Sequence, residues 1–326
     1  MNSNEVRNKK IFITGGAGFI ANRIIRELVG HNEITIYDNF KRDTFSNSIF
    51  PNKDKIKVIN GDVLNQKHLI DSSREIDVFI HAAAIAGIDT VARDPVSTMR
   101  VNMLGTANAL ESAKINGISD RFINFSTSEV FGSYSYKSSE SDSTTLGVAG
   151  EARWTYAVSK LAGEHLGLAY HQQYGLPVVN IRPFNVYGPG QTGEGALSIF
   201  IYKALKNEDI YIDGDGNQIR AWCFVDDFVR GLMACISRKS AIGNSVNIGN
   251  ARATMTIYGL ANTVCRVLNS NSRILHKPAL SSDIAIRVPG LEKARELLDF
   301  EAKIDLEEGI RKTAEWIKST KQLEKS

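Results

Sequence analysis

The sequence predicts an α/β fold, in which a doubly wound parallel sheet is followed by a smaller C-terminal α/β lobe. Short β-rich runs alternate with longer helical patterns over the first half of the chain, which is typical of a parallel sheet covered by helices. A glycine-rich turn follows the first of these runs, and the rhythm of the pattern changes near Gly188. Folds of this class bind their ligands at the carboxyl edge of the sheet.

The strands and helices of the first half follow from residue patterns. The predicted strands are Lys10–Thr14, Glu33–Asp38, Ile56–Ile59, Asp77–His81, Arg121–Ser126 and Pro177–Arg182. Apolar residues recur at helical spacing between them, over Phe19–Val29, Gln66–Ser73, Val96–Asn116 and Trp154–Tyr174. Right-handed crossovers order such strands into one doubly wound sheet, so residues 1–187 are predicted to form a Rossmann domain.

Two further stretches of the chain stand out. Residues 188–195 are rich in glycine and shorter mixed elements follow, so residues 188–326 are predicted to form mainly a substrate-binding lobe. Residues 132–150 are dense in Ser and Thr and have no periodicity. This segment is predicted to be a long functional loop, such as a lid.

The composition excludes several classes of protein. Lys and Arg total 39 against 36 Asp and Glu, and no long basic run occurs, so binding to nucleic acid or to an anionic membrane is not expected. No run approaches the ~18 apolar residues of a membrane helix, and the N-terminus lacks an apolar signal core. Three cysteines without CxxC spacing, and no HExxH motif, predict reduced thiols, a cytoplasmic protein and no metal site.

The turn after the first predicted strand has the composition of a dinucleotide site. Residues 16–21 fit G-x-G-x-x-A, and Gly15 adds a glycine before them. Glycine lets the backbone approach a pyrophosphate, whose charge then lies at the positive N-terminus of the following helix. Asp38 lies 20 residues after Gly18, where an acid accepts hydrogen bonds from ribose and repels a 2′-phosphate, so NAD is predicted rather than NADP. Asp62-Val63 is a candidate for holding the adenine.

A second candidate site lies on the predicted helix that begins at Trp154. Tyr156 and Lys160 are four residues apart, so they share one helix face and the ammonium lies beside the phenol. A neighbouring positive charge favours the phenolate, so we expect it to lower the pKa of Tyr156 and make the phenol a usable base. Residues 126–129 end the fifth strand, at the edge of the sheet where ligands bind.

Several motifs follow one another in an order that resembles a known family. They are Thr14-Gly-Gly-Ala-Gly-Phe-Ile20, Asp38-Asn39, His81-Ala-Ala-Ala84, Ser126-Thr-Ser-Glu-Val-Phe-Gly132, Tyr156–Lys160 and Arg182-Pro-Phe-Asn-Val-Tyr-Gly-Pro189. As a set they resemble the extended short-chain dehydrogenase/reductases that modify nucleotide sugars, over residues 9 to 318. The resemblance implies a bound NAD, a nucleoside-diphosphate sugar as substrate, and oxidation of that sugar at C4 to a 4-keto intermediate.

The resemblance also implies roles for individual residues. Tyr156 is expected to be the base at the C4 hydroxyl, Lys160 its electrostatic partner and ribose anchor, and Thr127 a hydrogen-bond partner of the same hydroxyl. The residues expected on the cofactor, besides Tyr156 and Lys160, are Gly15, Gly18, Phe19, Ile20, Asp38, Asn39, Asp62 and Val63. Those expected on the diphosphate are Arg220, Arg287 and Asn185, since a guanidinium fork binds phosphate bidentately.

Glu129 is the residue that most separates the possible reactions. Beside a 4-keto sugar its carboxylate can take the C5 proton, and Ser-Thr-Ser-Glu resembles GDP-mannose 4,6-dehydratases and UDP-glucuronate decarboxylases. Arg153-Trp154 resembles the same decarboxylases, where the arginine can attract a C6 carboxylate. We therefore favour a dehydratase or a decarboxylase. The alternative is a 4-epimerase, in which Glu129 only orients a neighbour.

Two expectations concern the chain as a whole. An alternative from another class is a non-catalytic sensor that binds NAD, although a sensor has no need of the activated phenol that Tyr156, Lys160 and Thr127 provide. The resemblance implies a homodimer held by a four-helix bundle, to which the two long predicted helices contribute. The nucleotide base, the sugar and the pathway stay open at this level.

Overall fold

Each strand and helix predicted for the first half is present, with ends shifted by at most two residues, except that the helix predicted over residues 96–116 is divided in two. The structure is a computed structural model, and it describes residues 6–320 apart from 47, 49, 51, 194 and 280–283. Its strands are β1 (Lys10–Thr14), β2 (Glu33–Asp38), β3 (Ile56–Asn60), β4 (Val78–His81), β5 (Arg121–Phe125), β6 (Tyr134–Ser138), β7 (Val178–Pro183), β8 (Val186–Tyr187), β9 (Ile210–Asp213), β10 (Ile219–Ala221), β11 (Cys223–Phe224), β12 (Asn244–Ile248), β13 (Thr254–Thr256), β14 (Ile274–Lys277) and β15 (Ile286–Pro289). Its α-helices are α1 (Phe19–Leu28), α2 (Gln66–Ser72), α3 (Ile88–Arg93), α4 (Pro95–Met99), α5 (Gly105–Ile115), α6 (Ala152–Tyr174), α7 (Ala196–Lys206), α8 (Val225–Ser237), α9 (Ile257–Leu268), α10 (Glu292–Leu298) and α11 (Leu306–Ser319).

Seven parallel strands form the central sheet, in the order β12-β7-β5-β4-β1-β2-β3. Ile11, Phe12 and Ile13 of β1 are fully buried, as expected for a parallel strand that is covered on both faces. The chain order reverses between β1 and β4, and such a switch point is where open α/β sheets bind ligands. The predicted doubly wound sheet is therefore confirmed.

The smaller lobe is built around a four-stranded sheet, in the order β13-β10-β15-β6. Two strands belong to a sheet other than the one predicted for their part of the chain. β12 (after residue 188) pairs with β7 of the central sheet, and β6 (before residue 187) pairs with β15 of the small sheet. The division at residues 187 and 188 stays a prediction. Because of these two strands, each of the two predicted parts of the chain contributes a strand to the sheet of the other part.

The loop predicted over residues 132–150 contains β6, so that prediction is wrong in part. Tyr134 and Tyr136 are exposed whereas Ser135 between them is buried, which gives the strand its alternation. The buried position is the small polar one and the exposed positions are aromatic, so hydropathy alone does not reveal the strand. Beyond β6, the carboxylate of Glu140 accepts a hydrogen bond from the backbone of β12 at 2.6 Å, which ties this part of the segment to the central sheet.

The helix predicted over residues 96–116 is interrupted by a π turn, Arg100–Leu104, between α4 and α5. Asn102 in this turn is buried, and its amide oxygen accepts a hydrogen bond from the backbone of Ile85 at 2.8 Å. Its amide nitrogen donates to the hydroxyl of Ser159 on α6 at 3.1 Å. The wider turn thus ties the loop after β4 to α6, and π turns of this kind are frequent at functional sites.

Two expectations, the lack of a membrane helix and the reduced cysteines, can be compared with the described residues. None of their helices is long and apolar enough to cross a membrane. Cys223, Cys235 and Cys265 are free thiols. The cytoplasmic location stays a prediction.

Candidate active site

A cavity of about 790 Å³ lies at the carboxyl ends of the central strands and gathers almost all of the predicted site residues. Those in its wall are Gly15, Gly18, Phe19, Ile20, Asp38, Asn39, Asp62, Val63, Thr127, Glu129, Arg153, Tyr156, Lys160, Asn185 and Arg287. Arg220 is not in this wall, although β10 places it in register with Arg287 of β15. The structure therefore brings the two predicted sites together, and the role of each residue stays a prediction.

The glycine-rich turn forms one end of the cavity, between β1 and α1. Gly15 has a φ of +70°, and a Cβ at this position would lie 2.6 Å from the backbone nitrogen of Ala83. The Gly18 nitrogen donates to the Gly15 carbonyl at 3.2 Å and closes the turn. The first turn of α1 holds no acidic residue that would neutralise its positive end. This cradle fits an anion such as a pyrophosphate.

Asp38 lies at the same end of the cavity, at the last position of β2. Its two carboxylate oxygens accept hydrogen bonds from the backbone of Ala17 at 3.0 Å and of Phe40 at 2.7 Å, which fixes the orientation of the side chain. Burial raises the pKa of Asp38 above its usual value. A fixed acceptor beside the glycine cradle, with Asn39 and Asp62 in the same wall, fits the ribose of a dinucleotide.

Tyr156 and Thr127 meet at the other end of the cavity. Tyr156 is on the second turn of α6, and Thr127, just after β5, lies beside its phenol and favours the phenolate. The pKa of Tyr156 lies above its ordinary value, because burial and the negative charge of Glu129 outweigh the effect of Thr127. We expected the ammonium of Lys160 to lower the pKa of Tyr156, but the protein groups around the phenol raise it.

Lys160 is buried one turn further along α6. Burial lowers its pKa to about 8, and the carboxylate of Glu164 opposes this shift. His81 at the end of β4 is also buried, and burial together with the charge of Lys160 lowers its pKa to about 3. Its ring lies 2.8 Å from the hydroxyl of Thr14 and 3.1 Å from that of Thr106. A neutral, hydrogen-bonded His81 supports the wall of the site and carries no charge into it.

Glu129 and Arg153 form an ion pair in the cavity wall. Nη1 of Arg153 lies 2.6 Å from Oε2 of Glu129, and the two side chains are 12% and 21% exposed. Glu129 belongs to the one-turn helix Ser128–Phe131, and Arg153 to the first turn of α6. The guanidinium carbon also lies 5.7 Å from the ring centre of Trp154, which steadies it. The pairing of these two candidates was not predicted, because 24 residues separate them in the chain.

The predicted diphosphate residues lie in the smaller lobe and at its border. Arg287 of β15 is buried, lines the cavity and donates to the backbone carbonyl of Gly132. Asn185 has a φ of +37°, and its amide donates to the carbonyl of Ala221 at 2.9 Å. Arg220 donates to the carbonyl of Ile219. Arg287 and Asn185 are thus placed to reach a ligand, whereas Arg220, in register with Arg287, is not in the cavity wall.

A buried ion pair that was not predicted from the sequence joins α6 to β7. Glu164 and Arg182 are 3% and 6% exposed, and Nη2 of the arginine lies 2.8 Å from Oε2 of the glutamate. Glu164 follows Lys160 by four residues, so the spacing that linked Tyr156 to Lys160 could have found it. The arginine lies in a strand that reads as apolar, and no local signal marks it. Among the described residues, no cluster of His, Cys, Asp and Glu could hold a metal ion.

Comparisons with known proteins agree with this geometry. The NAD dependent epimerase/dehydratase family matches residues 11–249. The chain is 33% identical over 323 residues to a UDP-N-acetyl-alpha-D-glucosaminuronate decarboxylase of Bacillus cytotoxicus, which covers 95% of this chain and 98% of that protein. It is 32% identical over 307 residues to UDP-glucuronic acid decarboxylase 1 of Arabidopsis thaliana, covering 92% of this chain and 68% of that protein.

A solved structure of similar fold leads to the same family. The UDP-glucuronic acid 4-epimerase from Bacillus cereus, in complex with UDP-glucuronic acid and NAD, has a TM-score of 0.84 and 29% identity, and the match covers 95% of this chain and 99% of that one. The glycine cradle, the fixed carboxylate of Asp38, and Tyr156 with the buried Lys160 fit the same cofactor. The chain therefore belongs to the NAD-dependent epimerase/dehydratase family, a family of enzymes that modify nucleotide sugars with NAD as cofactor.

Proposed function

We propose that this protein removes carbon dioxide from a UDP-linked hexuronic acid, after oxidation of the sugar at C4. The single observation that carries this choice is the ion pair of Arg153 and Glu129 in the cavity wall, one helical turn from Tyr156. UDP is the proposed nucleotide, because the decarboxylases to which the chain is similar carry UDP-sugars in their names.

Arg153 supports a substrate with a carboxylate. The guanidinium has five N–H donors in a planar fork, and one of its terminal nitrogens already holds Glu129. The Arg153 side chain is only 12% exposed, and the C6 carboxylate of a hexuronic acid is the sugar substituent that matches its charge. A neutral hexose offers Arg153 no equivalent contact, so the pair favours uronic acids.

Tyr156, Thr127 and Lys160 are the proposed groups for the oxidation. Thr127 orients the C4 hydroxyl, Tyr156 accepts its proton, and Lys160 stabilises the phenolate and holds the ribose of the cofactor. When bound, NAD would supply the acceptor for the hydride that leaves C4, and its positive charge would favour the phenolate of Tyr156. Arg287 and Asn185 are proposed to hold the diphosphate, together with Arg220, which is in register with Arg287 on the neighbouring strand.

Loss of carbon dioxide follows from the chemistry of the oxidised sugar. With a ketone at C4, the C6 carboxylate is that of a β-keto acid. The C5–C6 bond breaks, its electron pair moves toward the C4 oxygen, and carbon dioxide leaves. A proton must then reach C5, and the hydride taken from C4 must return there, so that the substrate loses carbon dioxide alone. Glu129, released when Arg153 turns to the substrate, is proposed to take up a proton from water and pass it to C5.

Dehydration and 4-epimerisation would use the Arg153–Glu129 ion pair differently. Dehydration needs Glu129 to take the C5 proton while a hydroxyl leaves C6, and a neutral C6 makes no use of Arg153. A uronate 4-epimerase is the second candidate, because the same arginine serves its substrate and a solved structure of similar fold is a UDP-glucuronic acid 4-epimerase. The sensor alternative is not supported, since the chain belongs to a family of enzymes.

The test is product analysis with a matched set of substrates. NAD-loaded enzyme is incubated with UDP-glucuronate, UDP-N-acetylglucosaminuronate and, as the neutral control, UDP-glucose, and products are weighed by mass spectrometry. We expect a uronate product lighter by one carbon dioxide and no reaction of UDP-glucose. An unchanged mass with a new chromatographic peak would identify an epimerase, and a product of UDP-glucose lighter by water would identify a dehydratase.

We also propose a homodimer formed by the faces of α4, the π turn and α6. Val96, Leu104 and Val158 on these elements are 67%, 49% and 40% exposed, and such a grouping of apolar side chains is typical of an interface. Leu104→Glu is expected to convert a dimer into a monomer in analytical ultracentrifugation. Ile199→Glu, at a 43% exposed position on α7, is the control and should stay dimeric. A monomeric wild type would contradict the proposal.

A further inference from the structure

Glu164 is a buried carboxylate on α6 that the proposed chemistry does not use. Its side chain accepts three hydrogen bonds from Arg182: from Nη2 to Oε2 at 2.8 Å, and from Nε to Oε1 at 2.9 Å and to Oε2 at 3.2 Å. The hydroxyl of Ser126 donates to Oε1, and that of Ser245 donates to Oε2 at 3.0 Å. A buried carboxylate with this many donors is held in one position.

The partners of Glu164 come from three neighbouring strands of the central sheet. Arg182 lies in β7 and Ser245 in β12, while Ser126 directly follows β5. Ser126 is also the residue before Thr127, which lies beside the Tyr156 phenol. One side chain of α6 therefore connects the helix that carries Tyr156 and Lys160 to the turn that carries Thr127 and Glu129.

We infer that Glu164 is the positioning residue of the active site: it locks the Ser126–Glu129 turn to α6 and acts as the fixed counter-charge of Lys160. Glu164 and Lys160 are one helical turn apart on the same face, and both are buried. The role rests on the proposed function insofar as Tyr156 and Lys160 carry out the oxidation.

The charges around Lys160 support this role. Tyr156 precedes it on α6, neutral His81 faces it from β4, and Glu129 lies across the phenol. Behind Glu164 lie Arg182 on β7 and, further out, the half-buried Lys293 of α10 with Glu140. Burial lowers the pKa of Lys160 to about 8, and Glu164 is the group that raises it.

The first test is Glu164→Gln in the NAD-loaded enzyme. Lys160 must keep its proton to stabilise the phenolate, so oxidation slows as the pH rises through the pKa of Lys160. Without the negative charge that pKa falls, so the alkaline limb of the oxidation half-reaction should move to lower pH by about one unit. The half-reaction is followed by the absorbance of reduced NAD, which forms whether the enzyme is a decarboxylase, an epimerase or a dehydratase.

A second readout does not depend on turnover. In protein labelled with ¹³C-lysine, the Cε signal of Lys160, assigned by its loss in Lys160→Met, reports the charge of this side chain. We expect its titration midpoint to be lower in Glu164→Gln than in wild type. If no uronate reduces the bound NAD in wild type, the proposed function fails, but this titration still tests the role of Glu164.

Two further variants separate positioning from stability. Glu164→Gln leaves Arg182 buried without its carboxylate and is expected to lower the melting temperature. The double variant Glu164→Gln/Arg182→Gln removes both charges and should recover stability, while the Lys160 midpoint stays low. Asp227→Asn removes a fully buried carboxylate that bonds the backbone at Lys303, and it should leave the midpoint unchanged. An unshifted midpoint in Glu164→Gln, or a double variant restored in stability and midpoint together, would overturn the inference.

Discussion

Replacing Tyr156 with phenylalanine is expected to slow the oxidation of the sugar at C4 by roughly 10²–10⁴-fold, the usual contribution of a general base. The substitution removes one hydroxyl, which lies beside Thr127, and it leaves the ring in place. NAD binding should be kept, since the glycine cradle and Asp38 lie at the other end of the cavity. Stopped-flow absorbance of reduced NAD with UDP-glucuronate measures the effect.

A matched control for this variant lies on the same helix. Tyr170 also presents its phenol from α6, but it donates to Glu111 on the neighbouring α5 at 2.7 Å, outside the cavity wall. Tyr170→Phe should therefore oxidise the substrate at the wild-type rate. If Tyr156→Phe keeps more than about a tenth of that rate, the phenol is not the base.

Replacing Arg153 with glutamine is expected to lower kcat/KM for a UDP-uronate by roughly 10²-fold, or about 3 kcal/mol. The variant removes the charge proposed to hold the C6 carboxylate, in a side chain that is only 12% exposed. It also leaves Glu129 without its partner, so the two effects must be separated. Arg153→Lys keeps the charge but loses the planar fork, and it should recover part of the activity.

Glu129→Gln is the variant that separates the two effects. It removes the carboxylate that competes with the substrate for Arg153, so KM for the uronate should fall while turnover also falls. Arg153→Gln should instead raise KM. The comparison is made by steady-state kinetics with UDP-glucuronate and by product mass. Equal changes in KM for both variants would show that the pair is structural and does not select the substrate.

The local motifs of this protein could be predicted because they depend on near neighbours in the chain. Gly15 is required by a positive φ, which follows from the strand–turn–helix in which it lies, whereas the backbone that lies against it comes from Ala82 and Ala83 after β4. The spacing of Tyr156 and Lys160 follows from the geometry of one helix. The fold class and the cofactor could be predicted for the same reason.

Other features were decided by packing between distant segments. The strand β6 was missed because its buried position is Ser135, and β12 enters the central sheet from residues assigned to the other lobe. The pairing of Glu129 with Arg153 joins two elements 24 residues apart. The raised pKa of Tyr156 also arises from burial and from Glu129, and spacing along one helix could not show either.

The sequence by itself determined the doubly wound sheet, the glycine cradle, the position of Asp38 at the end of β2, and the helix that carries Tyr156 and Lys160. Each of these features depends on patterns within short runs of residues. Only the tertiary structure decided which charges face one another: Arg153 with Glu129 in the cavity, and Glu164 with Arg182 behind it. The physical reason is that a buried charge is stable only beside a partner, and the partner is supplied by whichever element the fold packs against it.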